Sequence, residues 1–423
     1  RFPYLAAKYG GGTFLLTYLI LTLTFGFSLM ITEVALGRKA GTSAIRAFGH
    51  FSKKHTFIGY LTTIIPFIIF PYYCVIGGWV TKYALISLQG GIHNAASDTF
   101  FTGFISKSAE PMICVLVFLI ATTVVVVGGV KGGVERVSTI MMPVLIVLLI
   151  GVSLFCITRP GAMAGVVYYL KPNLKGFSPT TILAALGQLF YSMSLAMGIM
   201  ITFGSYMPKK ADLEKSVTQV EIFDTGVAFL AGLMIVPAVF AFSNGDSSML
   251  AKGPSLMFVM LPKVFDSMAF SSVIAAVFFI LVLLAALTSS ISLLETLVAV
   301  LMDKFHMKRG TACITMFIIA LLLAVPSSLG FGAWSNITIL GFDFLDFFDF
   351  LTNSVMMPIA AIATCLLISR VVGTKKIEEE VLQEGGTFRR KRIFNFMIQY
   401  LCPIFAAIIL FSSVANAFGW ISM

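Results

Sequence analysis

Residues 176–208 read GFSPTTILAALGQLFYSMSLAMGIMITFGSYMP, 33 positions without one charged side chain. About 20 apolar residues cross roughly 30 Å of hydrocarbon as a helix, so this run is too long for one straight crossing. Its centre, Ser192-Met193-Ser194-Leu195-Ala196-Met197-Gly198, puts hydroxyls and a glycine at mid-membrane depth. These residues weaken a helix and free backbone groups that lipid cannot satisfy. Such a break survives only where it lines a cavity or is buried in protein. The stretch therefore predicts a broken helix inside a membrane domain.

The rest of the chain supplies that domain. Charge-free blocks recur at Gly10–Thr32, Pro111–Val130, Val137–Thr158, Thr225–Gly245, Ser267–Leu294, Phe350–Ser369 and Ile393–Met423. Two more spans read at about Phe57–Thr81 and Thr311–Pro326, which gives ten full spans. Hydrophobic residues make up 58% of the 423 and charged residues 11%, against nearly half and about a quarter in soluble domains. Blocks this long exclude a β-barrel, whose strands are about 10 residues and alternate in polarity. The expected fold is an all-α polytopic membrane protein, with residues 1–423 forming a single transmembrane domain.

Charge sets the orientation. The formal net charge is +10, with 29 Lys and Arg. Of these, 20 fall on one set of alternate loops, within 38–54, 131–136, 209–215, 304–309, 370–376 and 389–392. That is the positive-inside signature; it places these loops in the cytoplasm and implies the plasma membrane, not a nucleic-acid partner. The six cysteines, all within apolar spans, read as packed thiols. Residues 2–11 are already largely apolar, so the sequence reads as starting inside a first span whose inner half is absent. Pro3 suits the first turn of a half-helix, which makes this a second interrupted span. Breaks at corresponding places in two halves point to a transporter's binding site.

Ionisable groups within spans are costly, at least about 2.5–3.5 kcal/mol at the bilayer centre. Glu33, Asp224, Glu295, Asp303 and Asp346 are the candidates; the plainer alternative is that each sits near an interface, solvated. The hydroxyl-rich run Leu284–Ser292 packs helices through small residues or binds a hard cation through hydroxyl and carbonyl oxygens. Tyr73, at mid-span beside Tyr72, can hydrogen-bond a carboxylate.

Arg1-Phe2-Pro3-Tyr4 followed by Gly10-Gly11-Gly12 and Phe14 resembles the signature of the sodium:neurotransmitter symporters. The likeness runs along essentially the whole chain: Glu33 with Gly37-Arg38, Tyr72-Tyr73 with Trp79, Gln188–Ser194, Ala285–Ser290 with Asp303, and Asp343–Phe347. It implies the leucine-transporter fold, a 5+5 inverted repeat with spans one and six broken. The first repeat would cover 1–158, the second 176–371, and 393–421 would be an additional helix. Tyr73 would bind the substrate carboxylate, with Ile69, Tyr191, Ser192, Ser194, Met197, Ser289 and Leu293 around the substrate. Ser192 and Asp224 would ligate a first Na+, and Ala285, Thr288 and Ser289 a second. The carboxylate of Asp224 stands where an amide is expected, and would supply the charge that chloride gives animal relatives. Arg1 with Asp346 would form the outer gate, and Tyr206 with Asp303 part of the inner one. Gly133 and Pro143 resemble a helix-unwinding pattern in span five.

Three departures concern the site: the inner half of span one is absent and with it backbone ligands for both sodium ions, Ala196 replaces the usual glycine of the break, and Gly77-Gly78 stand where many bacterial members carry polar residues facing Glu33. The expected function is sodium-coupled uptake of a neutral, hydrophobic amino acid by alternating access. The rivals are a proton-coupled or sodium-independent carrier of the same fold and a non-transporting amino-acid receptor. An intramembrane enzyme is disfavoured, because the four histidines fall in loops or helix ends without metal-ligand spacing.

Overall fold

Span six begins where Pro179 occupies its first turn after the extended Ser178, a position where proline's missing N–H costs nothing. The helix runs Pro179–Ser192, stops, and resumes as Ile199–Tyr206. The computed structural model describes residues 2–173, 177–243 and 255–420. Among them, nine helices are long and apolar enough to cross a membrane. Spans two to five are Gly12–Ala40, Lys53–Leu88, Ala109–Val127 and Val130–Ile157; spans seven to eleven are Leu213–Phe242, Ser271–Phe305, Arg309–Leu329, Phe344–Val372 and Lys391–Ala417. The broken sixth makes ten, and the short helix Phe2–Lys8 precedes them. Val147, Leu154, Leu322 and Phe411 are exposed on the outer belt, as a bilayer solvent permits.

The triplet Gly10-Gly11-Gly12 has a steric reason. Gly11 sits at φ 53°, and a Cβ there would lie 2.1 Å from the Tyr168 carbonyl oxygen. The turn after Phe2–Lys8 is thus pressed onto the segment 162–172, where the Tyr168 hydroxyl donates to the Ala7 carbonyl at 2.6 Å.

Span two and the second half of span six cross with their backbones in contact. A Cβ on Gly37 would lie 1.9 Å from the Ile201 carbonyl oxygen, and one on Gly204 would lie 2.4 Å from that of Val34. Small residues permit this close approach in lipid, where dispersion and not hydrophobicity holds helices together. Spans three and eight pack along their lengths. Gly77 and Gly78 turn toward span four, since their Cβ atoms would meet the Phe118 ring and Val115. In span five, a wide turn over Val130–Glu135 follows Gly129, with Gly133 against the Val125 carbonyl.

An aromatic cluster pins the loops beyond span three. Trp79 meets Phe101 and Phe258 edge-on, with ring centroids 5.3 and 5.8 Å apart, and the Tyr83 hydroxyl donates to the Phe258 carbonyl at 2.7 Å.

Candidate functional site

The break in span six is held open by a carboxylate. Ser194 and Ala196 both adopt left-handed backbone, at φ 53° and 60°, and Gly198 follows at 73°. This conformation takes the Ala196 N–H out of the helix and points it at Glu33 Oε1, 2.8 Å away. Glu33 is 1% exposed on span two, and among the described residues its Oε2 has no hydrogen-bond partner. A buried N–H freed by unwinding thus finds an acceptor within the protein, as the bilayer demands. Ala196 keeps the unwinding that glycine would give, but pays for its Cβ in the left-handed region, about 1–2 kcal/mol. Ala196→Gly is expected to raise thermal stability by a few tenths to 1 kcal/mol, read as the melting temperature in detergent; an unchanged or lower value would contradict the strain.

Where the first half of span six ends, Ser192 meets span seven. Its hydroxyl lies 2.9 Å from both Oδ1 and Oδ2 of Asp224. Tyr18 of span two donates to Oδ2 from 3.3 Å. The cluster offers only oxygen atoms and carries one carboxylate, the donor chemistry that a hard monovalent cation takes.

On span eight, the Thr288 hydroxyl donates to the Ala285 carbonyl at 2.9 Å, so both candidate ligands share one helical face. Ser289, next along, is exposed, and the Tyr73 phenol of span three neighbours its hydroxyl. Ser290 turns away to pair with Thr122 at 2.8 Å. Ile69, Met197 and Leu293 are buried, while Tyr191 and Ser194 are half-buried. Span three, the break and span eight therefore carry, between them, apolar side chains, a phenol and hydroxyls.

The model of the sodium:neurotransmitter symporter family matches residues 1–102 and 101–419. The chain belongs to that family. Among its relatives is the uncharacterised sodium-dependent transporter YhdH of Bacillus subtilis (strain 168), 34% identical over 97% of this chain and 91% of the relative. An uncharacterised sodium-dependent transporter of Haemophilus influenzae is 32% identical over 98% and 93%. Of solved structures, MhsT in complex with L-phenylalanine superposes with a TM-score of 0.88 at 35% identity, over 98% of this chain and 94% of that one. The fold is therefore the leucine-transporter fold expected from the sequence, and the family is one of membrane transporters.

Arg1 is outside the described residues. Asp346 is exposed at the start of span ten, where its N–H donates to the capping carboxylate of Asp343 at 2.8 Å. At the other end of the bundle, Tyr206 donates to Glu295 Oε1 at 2.7 Å and not to Asp303, whose Oδ2 accepts from the Ser43 N–H at 2.6 Å. Glu295 also pairs with Arg309, whose Nε reaches the Val126 carbonyl at 2.9 Å. Tyr206 thus links span six to spans eight, nine and four.

Three groups escaped sequence reasoning as site residues. Arg309 pairs with Glu295 across 14 positions, with no periodic cue. Asp349 accepts from the Tyr72 hydroxyl at 3.3 Å and from the Asn353 amide; its position three residues after Asp346, on the same helical face, was the available signal. Glu380, buried in the short helix between spans ten and eleven, pairs with Arg38.

Proposed function

We propose that this protein couples sodium entry to uptake of a neutral, hydrophobic amino acid across the plasma membrane by alternating access. The observation that carries the reading is the Ser192–Asp224 cluster set at the break of span six. Discontinuous helices at mid-membrane are where transporters of this design bind substrate and ions. Sodium is cargo here, not a resident cofactor. Ser192 and Asp224 would hold one ion, and Ala285, Thr288 and Ser289 a second. The Asp224 carboxylate neutralises its ion without chloride. Tyr73 would take the amino-acid carboxylate, while Ile69, Met197 and Leu293 present an apolar wall with Tyr191 and Ser194 beside it. That wall suits the kind of ligand named for MhsT, L-phenylalanine.

Alternating access then needs two closures. Asp346 with Arg1 would form the outer one. Tyr206, bonded to Glu295, would belong to the inner one, with Asp303 close by on span eight. By the positive-inside rule, the Lys- and Arg-rich loops would put that end in the cytoplasm. The energetics suffice: a tenfold gradient gives about 1.4 kcal/mol per ion, and 100 mV adds about 2.3. Two ions would supply roughly 7 kcal/mol.

A proton-coupled carrier is the second reading. It is favoured by Glu33, a buried carboxyl with one oxygen free of hydrogen bonds among the described residues. Thr288→Val separates the two, since it removes a cation ligand at constant shape. Sodium coupling predicts that the sodium needed for half-maximal uptake into liposomes rises about fivefold, the loss of roughly 1 kcal/mol. Sodium-independent uptake that survives the substitution would favour the proton-coupled carrier.

A further inference from the structure

We propose that residues 374–392 are a strap that fastens span two, the second half of span six and the start of span seven into one rigid body. The strap would travel with that body throughout the transport cycle. The inference rests on the alternating-access reading above.

The strap is clamped at both ends. Near its start, helix Thr374–Val381 buries Ile377 and Val381. Arg38, closing span two, donates from Nε to Glu380 Oε1 at 2.9 Å, from Nη1 to the Ala211 carbonyl at 2.6 Å, and from Nη2 to the Glu380 carbonyl. Lys209, just beyond span six, donates to the same Oε1 and to the Arg38 carbonyl, both at 3.0 Å. The Arg38 and Glu380 side chains are 0% and 1% exposed. Near the strap's end, Glu214 of span seven accepts the N–H groups of Arg389 and Arg390 at 2.6 and 3.0 Å. The Arg390 guanidinium forks onto Glu221 at 3.2 and 2.7 Å and lies 3.4 Å over the Phe27 ring of span two.

Parting a buried ion pair strands a charge, whereas parting one hydrogen bond at a half-open phenol does not. Both clamps belong to the first kind. A side-chain hydrogen bond that joins span six to span eight is of the second, Tyr206 to Glu295, with Tyr206 39% exposed. The Gly37 and Gly204 contacts already fuse span two to the second half of span six. Motion should therefore open the seam at Tyr206–Glu295 and leave the strap seated.

Distances between spin labels test this in the full chain in liposomes. Lys210, Lys308 and Glu379 are exposed, and the six native cysteines are buried, so introduced cysteines label selectively. The pair Lys210→Cys/Glu379→Cys should give one sharp distance, the same in sodium and in potassium. The pair Lys308→Cys/Glu379→Cys should shift between those conditions. A shift in the first pair, or none in the second, overturns the inference. Loss of sodium-dependent uptake by the unlabelled protein counts against the transport reading alone. Independently of transport, Glu380→Gln measured in potassium should broaden the first pair's distance, and an unchanged sharp distance overturns the clamp. Should that variant not fold, Lys209→Met should broaden the distance to a lesser degree, and no broadening there overturns the clamp as well.

Discussion

Glu33→Met is expected to weaken sodium-dependent amino-acid binding roughly ten- to a hundredfold, while Glu33→Gln retains most of it. Methionine matches the length of glutamate but offers the Ala196 N–H no comparable acceptor, in a place that is 1% exposed. A buried donor left without a partner costs about 1–3 kcal/mol. That cost falls on the unwound conformation of residues 193–198, the conformation that presents Ser192 and Ser194. Glutamine keeps an acceptor oxygen at the same reach. Titration of binding, with melting temperature as the control for folding, separates the two variants. Equal affinity for Met and Gln would mean that the break holds itself open without Glu33.

Asp224→Asn should act on the ions and not on the fold. The substitution keeps the shape and an oxygen acceptor for the Ser192 hydroxyl and Tyr18, but removes the negative charge at the candidate cation site. Charged hydrogen-bond partners are worth about 1.5–3 kcal/mol against about 1 for neutral ones, so half-maximal binding should need roughly tenfold more sodium. Because the lost charge is the one chloride would supply, added chloride should restore part of the response in the variant and do nothing in the parent protein. The same sodium response with and without chloride in both proteins would refute the role given to Asp224.

How much of this was legible follows from what each signal depends on. The broken span was readable because charge-free length and mid-span hydroxyls are local properties, and residues 193–198 leave the helix where the Ser192–Gly198 run suggested. The hydroxyl patch Leu284–Ser292 was readable as a local run, whereas the ligand roles of Ala285 and Thr288 came from the family resemblance. Partners across helices were not. Nothing in the sequence pairs Glu33 with the Ala196 N–H, or sends Tyr206 to Glu295 in place of Asp303, because those contacts depend on how spans two, six and eight cross. The setting of Gly77-Gly78 had the same origin: which way their faces turn is decided by Phe118 and Val115 on the next span. Glu380 was hidden most completely. Its segment is charged and lies between spans, where composition predicts solvated side chains, yet Arg38 and the turn after span six enclose it.

The central claim is that the cluster at the break of span six binds an amino acid together with sodium. Equilibrium binding of radiolabelled neutral amino acids to the purified protein, in sodium and in potassium at equal ionic strength, tests it most directly. At least one aliphatic or aromatic amino acid should bind in sodium and be released when potassium replaces it. Binding that is equal in the two salts, or absent for the whole panel in sodium, would contradict it.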